Sequence, residues 1–198
     1  MFFTIGLPAL SWFYNQPREK SREVLLDFSS VLDRLVTWFK AERIPFAVTG
    51  GLALHAYGYS RLTADVDLLV PRAFQDLVIE RMEADGYETL YRSVGYSNHL
   101  HKETDLGRVD FIWVDDSTAE KIFSSSKQVL VQDVEIPVPR PEYLVAMKLQ
   151  AIRNDPSRRL RDLADIQQLM RLPGVDLDEV RDYFRRYDLL KDYDEVKP

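Results

Sequence analysis

The stretch Gly50-Gly51-Leu52-Ala53-Leu54-His55-Ala56-Tyr57-Gly58-Tyr59-Ser60-Arg61-Leu62-Thr63-Ala64-Asp65-Val66-Asp67-Leu68 opens on a glycine pair and closes on two acids one residue apart. The apolar run Phe46-Ala47-Val48 leads into the glycines. A strand is therefore expected to meet a tight turn, with a short helix over Leu52 to Tyr57. Asp65-Val66-Asp67-Leu68-Leu69-Val70 reads as a second strand, closed by Pro71. Side chains alternate across a strand, so Asp65 and Asp67 project from one face. Two carboxylates held that close among Val66, Leu68 and Leu69 repel unless a cation neutralises them or one takes a proton.

Taken alone, an Asp-x-Asp pair also reads as solvated acids at a strand edge. Its neighbours narrow the choice. Oxygen-only donor sets suit hard divalent cations, Mg²⁺ above all, and not zinc. A third acid, Asp110, sits in the middle of Val109-Asp110-Phe111-Ile112-Trp113-Val114, a place where it does nothing for stability. If that strand lies beside the first, three carboxylates converge. Such a set can hold two cations about 3.5–4 Å apart, an arrangement suited to phosphoryl transfer. A glycine pair between strand and helix lets backbone approach a phosphate closely, and the helix start offers unpaired N–H groups.

Further out, Val24, Leu25, Phe28, Val31, Leu32, Leu35 and Phe39 recur at helical spacing and predict an amphipathic helix within 19–42. Phe74 to Glu83 reads as a helix ending at Gly86, and 87–93, 97–103 and 107–114 as a strand meander. Ser117 is expected to cap a short helix, and 127–138 to form a strand or hairpin. After Pro139 and Pro141 the pattern turns helical, over 142–153, 157–171 and 176–187. The fold class expected is α+β: a mixed, mostly antiparallel sheet flanked by helices, with a helical C-terminal lobe. Residues 1–139 would form an N-terminal helix plus α/β core, and 140–198 the helical subdomain.

With 198 residues and 45% hydrophobic content, the chain is long enough to bury a real core. It has no cysteine, which excludes disulfide scaffolds, thiolate zinc sites and Cys nucleophiles. A formal charge of −6 argues against non-specific coating of duplex nucleic acid. Arg153, Arg158, Arg159 and Arg161 face only Asp155 locally, a patch that reads either as a phosphate site or as a solvated helix face. No apolar stretch is long enough to span a membrane. The apolar N-terminus lacks the basic start of a secretory signal, and a cytoplasmic location is expected. His99 and His101, two apart on a strand, read as a surface pair. Lys148 shares a helical arc with Leu144, Val145, Leu149 and Ile152, so its ammonium either snorkels to water or aims at a phosphate. Asp162 reads as a first-turn acid or ion-pair partner, Arg61 as a phosphate contact or partner of a nearby acid, and Thr63 as a residue shaping the turn.

The segment from Gly50 to Leu68 resembles the signature of the polymerase-β-like nucleotidyltransferase superfamily. It is most similar to the AbiEii-like and minimal-nucleotidyltransferase branches of prokaryotic toxin–antitoxin systems. Arg61-x-Thr63-x-Asp65-x-Asp67 is similar to the AbiEii-type form. Lys148 and Arg161-Asp162-Leu163-Ala164-Asp165 resemble that branch's helical motifs, in which a lysine and an acid close the nucleotide site. The resemblance implies a nucleotidyltransferase fold and transfer of a nucleoside monophosphate from Mg-NTP to an acceptor hydroxyl. The acceptor would be a tRNA 3′ end, a protein or a small molecule. It implies two Mg²⁺ sites held by Asp65, Asp67 and Asp110, with Asp65, Asp67, Asp110 and Lys148 catalytic. Gly50, Gly51, Arg61, Thr63, Lys148 and Asp162 would bind nucleotide, and a cognate toxin or antitoxin would be the partner. The alternative is a non-catalytic nucleotide-binding or regulatory protein that keeps the fold.

Overall fold

The structure is a computed structural model that describes residues 28–103, 106–131 and 133–198. The apolar N-terminal stretch and the beginning of the expected first helix lie outside the described residues. The described chain divides between Pro139 and Arg140 into two compact units.

The first unit is built on a five-stranded sheet in the order β1-β2-β5-β4-β3. Helix α1 (Phe28–Ala41) precedes β1 (Ala47–Val48), α2 (Gly50–Ala56) and β2 (Asp65–Pro71). Then follow α3 (Gln75–Ala84), the meander β3 (Tyr87–Arg92), β4 (Tyr96–His101) and β5 (Arg108–Val114), and α4 (Asp116–Ser124). A separate hairpin, β6 (Lys127–Val131) with β7 (Val134–Val138), closes the unit. Three junctions of the main sheet are antiparallel and the β2–β5 junction is parallel. The sheet is therefore mixed and mostly antiparallel, as the alternation in the sequence implies.

Period-2 alternation sorts β2 and β5 into two faces. Val66, Leu68, Val70, Val109, Phe111 and Trp113 are all buried. Phe39 of α1 meets Phe111 edge-on at 6.4 Å, and Phe111 stacks on Trp113 at 5.2 Å. Asp65, Asp67, Arg108 and Asp110 occupy the other face. One strand pair thus carries the core on one side and the ionisable groups on the other.

Two local expectations change. The cap of α4 is Asp115, whose carboxylate accepts from the Thr118 N–H at 3.0 Å, while Ser117 donates to that same carboxylate. An aspartate one residue before the helix satisfies an orphan N–H better than a serine inside its first turn. His99 and His101 are not a surface pair. His99 is wholly buried, with hydrogen bonds to Ser97 Oγ at 2.9 Å and Thr89 Oγ1 at 3.1 Å. Ser97 accepts from Trp113 Nε1, and Thr89 donates to Glu83, so the string is satisfied by a neutral imidazole carrying its proton on Nδ1. Burial pushes the His99 value down to about 4, against a smaller upward pull from Glu83. A histidine depressed below its unfolded value of 6.5 supports the fold fully above that pH, and the support is lost as pH falls toward 4. Between pH 7 and pH 5 the loss should be roughly 1–2 kcal/mol. Urea midpoints at the two pH values should therefore differ less in His99→Gln than in the parent chain; equal differences would refute the assignment.

The second unit is helical: α5 (Pro141–Asn154), α6 (Arg159–Met170), α7 (Leu177–Arg186) and α8 (Leu190–Val196). Pro141 starts α5 where its missing N–H costs nothing, and Asp176 caps α7 through two N–H groups. Helix α8 is short and rich in acids, too brief for a period to declare itself. Among the described residues, no helix is long and apolar enough to cross a membrane.

Candidate active site

The parallel register pairs Asp67 with Asp110 and Asp65 with Arg108. Residues paired across neighbouring strands share a face, so the three acids meet on it. One carboxylate oxygen from each of Asp65, Asp67 and Asp110 lies within 4.8 Å of the others. Thr63 Oγ1 donates to Asp65 Oδ1 at 2.7 Å and fixes that carboxylate's rotamer.

Gly50 and Gly51 are demanded by these side chains. Gly50 has φ +60, and a Cβ there would stand 1.8 Å from Asp67 Oδ2. A Cβ on Gly51 would stand 2.6 Å from Thr63 Cβ. The glycine pair lets the start of α2 press against Asp67 on one residue and Thr63 on the next. Gly50→Ala should therefore displace Asp67 as well as strain the backbone. About 1–2 kcal/mol of stability should be lost to the left-handed φ alone, and Mn²⁺ affinity should fall at least tenfold. Unchanged Mn²⁺ binding by calorimetry would mean that the close approach is not needed.

Asp110 is buried, and its carboxylate is clamped from within. Arg108 donates from Nε to Oδ1 at 2.7 Å and from Nη2 to Oδ2 at 2.9 Å. The Tyr96 hydroxyl donates to Oδ2 at 2.7 Å and accepts from Arg108 Nη2 at 2.9 Å. Burial raises the Asp110 carboxyl above the usual range, against the opposing pull of Arg108 and Tyr96. Burial and Asp110 together drive the Tyr96 hydroxyl far up, so it stays a neutral donor. Two buried polar atoms beside this face lack a hydrogen-bond partner: Asn98 Oδ1, on the register partner of Asp110, and Thr49 Oγ1, next to the glycines. Alternation could have flagged Arg108, which stands two residues before Asp110. Tyr96 required knowledge of strand register, which no local pattern carries.

The remaining predicted residues have surroundings of their own. Arg61 is half-buried in the loop after α2, with Nη1 donating to the Leu62 carbonyl at 3.1 Å. In the helical unit Lys148 Nζ donates to Asp165 at 2.6 Å and to Asp162 at 3.3 Å, and all three side chains are buried. Arg158 Nε reaches Asp162 at 2.9 Å. Burial resists ionisation of Asp162, but Lys148, Arg158 and Arg161 outweigh it and hold the carboxyl below its ordinary range. Lys148 thus neither snorkels nor points into open space. The arginine patch is largely neutralised too, with Arg158 on Asp162, and Arg159 on Asp192 at 2.6 Å and Glu195 at 2.8 Å.

The family described as uncharacterised nucleotidyltransferases matches residues 19–195. This chain belongs to it. Solved nucleotidyltransferases share the fold at low identity. The antibiotic-resistance factor ANT(2'')-Ia superposes with a TM-score of 0.62 at 15% identity, covering 84% of this chain and 96% of that one. The lincosamide antibiotic adenylyltransferase LnuA, solved with lincomycin bound, gives 0.54 at 15% identity over 74% and 98% of the two chains. An antigenic nucleotidyltransferase-like protein from Paracoccidioides brasiliensis gives 0.53 at 15% identity over 87% and 95%. No curated protein matches the chain.

Proposed function

We propose that this nucleotidyltransferase moves a nucleoside monophosphate from an Mg²⁺-bound NTP to an acceptor hydroxyl and releases pyrophosphate. The convergence of Asp65, Asp67 and Asp110 is the observation that supports it. Divalent cations, when bound, supply charge neutralisation for the triphosphate and the leaving pyrophosphate. Asp65 and Asp67 hold them in this reading, with Thr63 keeping Asp65 in place. Asp110, once Arg108 is drawn off it, completes the second of two cation positions and offers a carboxylate oxygen to the acceptor's proton. Gly50, Gly51 and Arg61 border the phosphates in this reading.

For the acceptor, we favour a small-molecule hydroxyl over a nucleic acid, because acids already hold Arg158 and Arg159. The antibiotics named with ANT(2'')-Ia and LnuA, tobramycin and lincomycin, are chemical starting points for an acceptor panel. A place in a toxin–antitoxin pair rests on the sequence resemblance alone. The second reading is a nucleotide-binding protein without turnover, favoured by the hold of Arg108 on Asp110.

The experiment is transfer of α-phosphate label from each NTP, with Mg²⁺, into total RNA, total protein and a panel of hydroxylated small molecules. Label in one fraction names the acceptor class. Mg²⁺-dependent NTP binding with no label anywhere selects the second reading. Absence of binding removes both.

A further inference from the structure

Arg108 holds both carboxylate oxygens of Asp110. We propose that, in the nucleotide-free chain, its guanidinium occupies the place of the second cation at Asp110, so that the site takes one divalent ion until Arg108 is drawn away. The inference rests on the transferase reading above and specifies the loading of that same site.

Lone pairs carry the first part of the argument. A carboxylate offers about four acceptor positions, two on each oxygen. Both on Asp110 Oδ2 are used, by Arg108 Nη2 and the Tyr96 hydroxyl. On Oδ1, Arg108 Nε takes one. A single position remains, which can meet one ion and cannot bridge two. Charge carries the second part. Three carboxylates and one guanidinium sum to −2, which one divalent ion neutralises. A second ion beside Asp110 would sit against the positive charge of the guanidinium while Arg108 stays in place.

The clamp is built to hold and to open. Tyr96 accepts from Nη2 while donating to Oδ2, closing a ring of three side chains that fixes the fork. The Asp110 side chain is only 5% exposed, so it stays, whereas that of Arg108 is 33% exposed and can swing outward. A triphosphate is the kind of anion that attracts a planar guanidinium. The register partner of Arg108 is Asp65, which keeps the guanidinium on the face where the cations would bind.

The test is a Mn²⁺ titration of the full, nucleotide-free chain, counting bound ions from the residual free-ion resonance signal. The parent chain should bind one ion, with any second at least about tenfold weaker. Arg108→Gln, which leaves three carboxylates uncompensated, should bind two ions of similar affinity. Tyr96→Phe keeps the charge but frees one Oδ2 position, and should strengthen the second ion to an intermediate affinity; it also serves if Arg108→Gln does not fold. Two similar ions in the parent chain overturn the proposal, as does a single ion in both variants. No bound Mn²⁺ in the parent chain, or binding that survives Asp67→Asn, instead overturns the metal-site reading beneath it.

Discussion

Asp67→Asn should abolish measurable nucleotidyl transfer while leaving the chain folded. Asp67 is the middle acid of the row, register-paired with Asp110 and contacted by the start of α2. Cation stabilisation of a transferring phosphoryl group is worth several kcal/mol, and each 1.4 kcal/mol is a factor of ten. The loss in kcat/KM should therefore reach about 10³-fold or more. The backbone bond from the Thr49 N–H to the Asp67 carbonyl, 2.8 Å long, is untouched by the substitution. Replacing one of three crowded carboxylates by a neutral amide also relieves repulsion, so the thermal midpoint should hold or rise. Pyrophosphate release and a melting curve on the same sample check both halves. Transfer at the parent rate would eliminate the acids as a cation site.

The largest effect on stability is expected in the helical unit. Lys148→Ala removes the ammonium that Asp162 and Asp165 share. Breaking one partner out of a buried ion cluster costs about 3–5 kcal/mol, since the remaining charges stay desolvated. The deficit should shrink at acid pH, where protonated acids need no counter-charge. In the parent chain the sign is fixed by Asp162, whose carboxyl is held below its ordinary range. Its contribution is present above the unfolded value and disappears as pH falls through the native one. Urea unfolding of parent and variant at neutral and acid pH checks this. A change under about 1 kcal/mol would mean that the cluster is held by its neighbours and that the ammonium is spare for nucleotide.

Much of the fold was legible because its signals are local. The Gly-Gly turn, the Asp-x-Asp strand and the alternation of β3, β4 and β5 are each written within a few residues. The site was legible only in part. Asp110 could be singled out as an acid in an apolar strand, but its meeting with Asp67 depended on which strand neighbours β2. Tyr96 was out of reach, since its contact with Asp110 arises from antiparallel register two strands away from β2. His99 misled because burial is a tertiary property. A polar residue in an alternating strand says which face it takes, not whether that face is covered. The glycine pair reads as room for a phosphate, and the structure adds that a Cβ on either glycine would meet the carboxylate of Asp67 or the side chain of Thr63. Only coordinates reveal that kind of contact.

The parallel β2–β5 ladder sets the order in which the molecule can become competent. Antiparallel β3, β4 and β5 can zip as the chain emerges, each on its predecessor. A parallel pair needs a crossover, and here α3, β3 and β4 intervene between its strands. Closing that long span is the slow, non-local step of assembly. Until it is complete, Asp65 and Asp67 lack their third acid. A ribosome that has not yet extruded residues 108–114 therefore carries the Asp65–Asp67 pair without the partner strand that brings Asp110 to it.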